Sequence, residues 1–103
     1  MPKNVALFEN EGSRLRELAR DPNVLIIFTK HAQDRMRERS VSRIDIQSIL
    51  KRCSVVKFEE SRWEETWRAE GKDRDGRVLQ VEVVPYEREL EIKIITVITP
   101  MQR

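Results

Sequence analysis

The only histidine of the chain, His31, stands in the run Phe28-Thr29-Lys30-His31-Ala32-Gln33-Asp34-Arg35-Met36-Arg37-Glu38-Arg39. His31, Arg35 and Arg39 recur every four residues, so on a helix they form one row. An imidazole that can carry a proton near neutral pH, followed by two permanent cations, suits chemistry on a phosphodiester. Cleaving RNA without a metal needs a group to take the 2′-hydroxyl proton, a proton for the leaving oxygen, and cations for the charge that builds on phosphorus. His31 can serve as base or acid, with Arg35 and Arg39 as a phosphate clamp. Arg68, Lys72 and Tyr86 are candidates to contact RNA from a second side. Trp63 or Trp67 could stack on an unpaired base.

Each residue also has a plainer reading. His31 could be an ordinary boundary residue in the first turn of a helix. Arg35 could pair with Glu38, and Arg39 could be a structural guanidinium bonded to backbone carbonyls. Arg68 and Lys72 could be solvated charges. Trp63 and Trp67 suit the buried face of a sheet, because a small domain needs their area.

The elements that must carry these groups follow from periodicity. Residues 4–20 read as an amphipathic helix with Leu15, Leu18 and Ala19 on one face, Val5 and Phe8 forming an earlier apolar patch. Gly12 weakens its middle, which places the start near Ser13. Asp21-Pro22-Asn23 stops it, and Val24–Phe28 reads as a short buried strand. Thr29 caps the helix that bears the row and ends near Ser40. On that helix Ala32 and Met36 point inward, and His31, Arg35 and Arg39 fall at the border of core and solvent. Ser42 opens a further helix with Asp45 as a capping box and Val41 and Ile46 as a hydrophobic staple. Ile46, Ile49, Leu50 and Cys53 form its apolar stripe, so Cys53 reads as a core residue.

From residue 54 the period changes to two. Val55–Phe58, Trp63–Glu70, Val78–Val84 and Leu90–Ile98 read as strands, with turns at Gly71–Arg77 and, carrying Tyr86, at Pro85–Glu89. The expected fold is α+β, N-terminal helices packed on one face of an antiparallel β-sheet. Residues 1–22 read as a helical extension and 23–103 as one compact domain.

Composition narrows the function classes. Residues 1–53 carry 11 Lys/Arg against 7 Asp/Glu, and residues 54–103 carry 9 against 11, so attraction for a polyanion belongs to the first half. One cysteine and one histidine exclude an intramolecular disulfide and a structural zinc site, and no metal or other cofactor is expected. With neither a membrane-length apolar run nor a signal peptide, the expected location is the cytoplasm.

The segment Phe28-Thr29-Lys30-His31-Ala32…Arg35-Met36…Arg39, then Val41…Ile49-Leu50, resembles a family of small bacterial and phage domains with an S/T-x-H-A-x-x-R-M-x-x-R helix. Gly71-x-Asp73-x-Asp75-Gly76-Arg77, followed by alternating valines, resembles that family's central hairpin. The family is a domain of unknown function within the RelE-like toxin superfamily, near the BrnT-type toxins. The resemblance spans roughly residues 25–98. It implies a toxin-like endoribonuclease that acts on RNA, on or off the ribosome, and is neutralised by a protein antitoxin. The alternative is a non-catalytic protein-interaction module, or a homodimer formed through the N-terminal helix. The low net charge and the acidic stretch Glu59-Glu60…Glu64-Glu65 favour that alternative.

Overall fold

A computed structural model describes residues 8–100. The elements are α1 (Glu9–Arg20), β1 (Leu25–Phe28), α2 (Lys30–Arg39), α3 (Arg43–Leu50), β2 (Ser54–Glu60), β3 (Glu65–Lys72), β4 (Val78–Tyr86) and β5 (Glu91–Ile98). They form an α+β domain with a five-stranded sheet in the order β1-β5-β4-β3-β2. Strands β2 to β5 make the expected antiparallel meander. β1 departs from it by joining β5 in parallel, with Leu25 opposite Glu91 and Phe28 opposite Ile94. That pairing spans more than sixty residues of chain, so no local pattern announces it.

Alternation sorts the strands onto two faces. Trp67, Ala69, Leu79, Val81, Val83, Ile92, Ile94 and Val97 form the buried face. Leu15, Leu18 and Ala19 from α1, Ala32 and Met36 from α2, and Ile46, Ile49 and Leu50 from α3 complete a single core with them. Cys53 is among its members, and burial pushes its thiol up to about 11. The apolar stripe of α1 is thus covered within this chain, by β2 and α3.

Several boundaries differ from the expectation. α1 begins at Glu9 and runs through Gly12, which is buried; a Cβ there would lie 3.1 Å from Arg16 Nη1 and 3.6 Å from the Val55 amide. The missing side chain lets the helix approach β2 closely. Val5 lies outside the described residues. Trp63 does not continue the β3 alternation: it sits 84% exposed in a turn where the Ser61 amide and hydroxyl both donate to Glu64 O. It is neither core nor strand, whereas Trp67 is fully buried. Tyr86 is the last residue of β4 rather than a turn residue. β1 is only half buried, with Leu25 54% and Ile27 38% exposed, because it is an edge strand facing solvent on one side.

Candidate functional site

α2 owes its position to both of its ends. At the start, Thr29 Oγ1 accepts from the Ala32 amide at 3.1 Å, satisfying one of the helix's orphan N–H groups. The same hydroxyl lies 2.9 Å from Ile94 O and 3.2 Å from Ile95 O, which seats the helix on β5 where its ladder with β4 shifts register. Gln33 Nε2 donates to Phe28 O at 3.0 Å and closes the strand–helix junction. His31 therefore sits in the first turn of a firmly capped helix.

At the other end the chain leaves α2 through Ser40, in the left-handed region at φ 55°, with Val41 N donating to Met36 O at 2.8 Å. A residue with a Cβ is disfavoured there, so the conformation needs support. Arg77 supplies it from the β3–β4 hairpin. Its guanidinium donates to Arg39 O at 2.7 Å, to Ser40 O at 3.1 Å and to Asp73 Oδ2 at 2.9 Å. Asp73 in turn accepts from the Asp75 and Arg77 amides at 2.9 and 2.8 Å. Burial pulls its carboxyl up, but the bonds from Arg77 and Asp75 outweigh that and hold it below the ordinary value. Gly76, at φ 83°, provides the turn that brings Arg77 round. At this end of α2 the structural guanidinium bonded to carbonyls is therefore Arg77, whereas sequence alone suggested Arg39.

Between these anchors the row is graded in exposure: His31 is exposed, Arg35 and Arg39 half-buried. Arg35 Nη1 donates to Glu38 Oε1 at 2.5 Å, and Arg39 Nη1 lies 3.6 Å from the same oxygen. One carboxylate thus spaces both guanidinia, and among the described residues each keeps further N–H groups without a partner. α2 carries Lys30, Arg35, Arg37 and Arg39 against Asp34 and Glu38, a cationic surface with the histidine at its head.

The second set of candidates lies elsewhere. Arg68 is on the uncovered sheet face, paired across strands with Glu82, to which it donates from Nε at 3.1 Å and Nη2 at 2.5 Å. Tyr86 donates to Glu64 Oε1 at 2.9 Å, and the Lys93 ammonium lies 5.8 Å from its ring. Lys72 is exposed at the end of β3, beside a cleft of about 330 Å³ that Arg52, Arg74 and Ile49 also line. Among the described residues no hydrogen bond or ion pair joins Arg68, Lys72 or Tyr86 to the α2 row. The structure brings together His31, Arg35 and Arg39, and engages Arg68 and Tyr86 with carboxylates of their own face. Sequence reasoning missed Asp73 and Arg77 as positioning groups, although the Gly-x-Asp-x-Asp-Gly-Arg turn that carries them was in view.

Among the described residues no three His, Cys, Asp or Glu side chains converge, and no helix is long and apolar enough to cross a membrane. No curated protein and no solved structure gives a significant match. The sequence profile of one family, Domain of unknown function (DUF4258), matches residues 28–99, a span that runs from the end of β1 through the α2 row and the Arg77 hairpin to the end of β5. The chain belongs to that family of domains.

Proposed function

We propose that the chain is a toxin-like, metal-independent endoribonuclease of the RelE/BrnT kind, acting in the cytoplasm and neutralised by a protein antitoxin. One observation supports it above the others. The sole imidazole is exposed at the head of α2, one turn before Arg35 and two before Arg39, and no hydrogen bond or ion pair occupies it among the described residues. RNA lies along α2, with its phosphates against the two guanidinia. His31 takes the 2′-hydroxyl proton, the freed oxygen bonds phosphorus, and the P–O5′ bond breaks. The 5′-oxygen then takes a proton from water. Arg35 and Arg39 stabilise the charge on the phosphoryl oxygens. Arg68 and Tyr86, held by Glu82 and Glu64, stay outside this contact; Lys72 remains a candidate for the distal RNA backbone.

Expression of the chain alone is expected to arrest growth, and the purified protein to cut single-stranded RNA in the presence of a chelator. His31→Ala should lower cleavage by about a hundredfold to ten-thousandfold, the span of a lost acid–base group, with the unfolding midpoint unchanged. Harmless expression together with intact RNA overturns the reading. It would leave the interaction module, which the bare edge of β1 favours.

A further inference from the structure

β1 ends the sheet, and its outer edge carries no strand among the described residues. Leu25 N donates to Leu90 O at 2.9 Å and Thr29 N to Ile94 O at 3.2 Å, so the odd-numbered residues face β5. By the alternation of a parallel pair, the N–H and C=O of Ile26 and the N–H of Phe28 turn outward. Natural proteins blunt such edges with charges, prolines or bulges. The opposite edge, β2, does so with Lys57, Glu59, Glu60 and a register shift between Val55 and Lys57. Leu25-Ile26-Ile27-Phe28 has none of these.

A groove of about 390 Å³ runs along this bare edge on the helix side, between β1, the end of α1 and α3. Ile26 and Phe28 line it together with Arg20, Arg43, Lys51 and Gln47. Arg43 stacks on the Phe28 ring at 4.5 Å and Arg20 Nε donates to Lys51 O at 3.0 Å, so the two guanidinia are held in place. None of the three is in an ion pair among the described residues, and the one acid in the groove, Asp21, accepts from the Asn23 amide. The other side of the same edge is apolar, formed by exposed Leu25 and Ile27.

The geometry points to this edge as the docking site for an extended partner segment of alternating acidic and apolar residues, added to β1 as a sixth strand. Successive side chains of an added strand point to opposite faces. Its acids meet Arg20, Arg43 and Lys51 in the groove, and its apolar residues cover Leu25 and Ile27. Its backbone satisfies Ile26 and Phe28. The inference is independent of RNA cleavage, because none of these residues lies on the α2 row.

The test uses the full chain and a fluorescein-labelled heptapeptide of alternating Glu and Val, followed by anisotropy at low salt, with amide exchange read residue by residue. The peptide is expected to bind and to slow exchange at Ile26 and Phe28. A Lys/Val peptide, and a Glu/Val peptide N-methylated on the bonding edge, should bind at least about tenfold more weakly, since one loses charge complementarity and the other the strand bonds. Arg43→Glu with Lys51→Glu should invert the preference between the Glu and Lys peptides, while RNA cleavage stays as in the parent. Equal binding of all three peptides by the unmutated chain, or protection away from β1, overturns the proposal without any variant being made. Concentration-dependent dimerisation that protects Ile26 and Phe28 without peptide assigns the edge to a second copy and also overturns it. Loss of RNA cleavage in His31→Ala, with peptide binding intact, keeps the two readings separable.

Discussion

At its C-terminal end α2 is gripped by a guanidinium with five donors and three acceptors around it, Arg39 O, Ser40 O and the Asp73 carboxylate. Two turns away, at its N-terminal end, the His31 imidazole stands exposed above a seat made by Thr29 and Gln33. Both ends carry polar residues of the kind that draws attention in a sequence. Their surroundings differ: Asp73 is 6% exposed and bonded on all sides, whereas His31 has its ring nitrogens to offer. A polar group whose bonds are all internal holds a fold together, and one whose bonds are left to solvent is available to a ligand. The clamp and the row should therefore fail differently when broken.

The largest effect on stability is expected at the clamp. Arg77→Ala removes three charge-assisted or backbone bonds and leaves the Asp73 carboxylate without its cation, a loss of about 2–3 kcal/mol in urea unfolding. Asp73→Asn should act in the same direction. His31→Ala, Arg35→Gln and Arg39→Gln should each stay within about 0.5 kcal/mol of the parent, since the only partner at stake among the described residues, Glu38, is solvent-exposed. An Arg77→Ala protein as stable as the parent would erase the distinction.

Acid should weaken the clamp together with two other carboxylate contacts. Backbone bonding at Ser42 lowers the Asp45 carboxyl, and the bonds from Arg77 and Asp75 lower Asp73 against the pull of its burial. Hydrogen bonding to Arg14 lowers Glu87 in the same way. A carboxyl held below its unfolded value binds its proton more weakly in the folded state. Its stabilisation is complete above the ordinary Asp value of 3.8 and fades as the pH falls through the folded value. The urea midpoint is therefore expected to be level between about pH 7 and 5 and to drop below about pH 4, with a shallower drop in Asp73→Asn. A midpoint that stays level down to about pH 2 would show that these carboxylates do not support the fold and would undo the comparison.

A smaller loss, about 1 kcal/mol, is expected for Ser42→Ala, because Ser42 Oγ accepts from the Asp45 amide while the Ser42 amide donates to the Asp45 carboxylate. Capping boxes of this kind were readable in advance, as were the Thr29 cap, the inward Ala32 and Met36, and buried Cys53. All depend on residues three or four apart. The antiparallel meander and the placement of the helices on one face also followed from periodicity. What escaped the sequence lies at long range. The parallel pairing of β1 with β5, the engagement of Arg68 by Glu82, and the reach of Arg77 to Arg39 O and Ser40 O across 38 and 37 residues depend on register between distant elements. Trp63 differs for another reason: its alternation with Glu65 and Trp67 exists in the sequence only, because the strand begins at Glu65 and Trp63 lies in the turn that Ser61 closes.

The gentlest perturbation bears on the row itself. Glu38 holds Arg35 at 2.5 Å and Arg39 at 3.6 Å, and its side chain is 56% exposed. Exposed pairs of this kind contribute little, so Glu38→Gln should shift stability by only a few tenths of a kcal/mol, about 0.5 at most. Its electrostatic effect is larger than its structural one, because it removes the one carboxylate that, among the described residues, both guanidinia share. If RNA phosphates lie against Arg35 and Arg39, the substitution should raise affinity for single-stranded RNA several-fold at low salt. It should also steepen the salt dependence by up to about one counterion. Under the clamp's logic the opposite would hold, with stability lost and affinity unmoved. An affinity unchanged at every salt concentration, with the fold intact, would place RNA away from α2 and return Arg35 and Arg39 to the framing role that Glu38 already gives them.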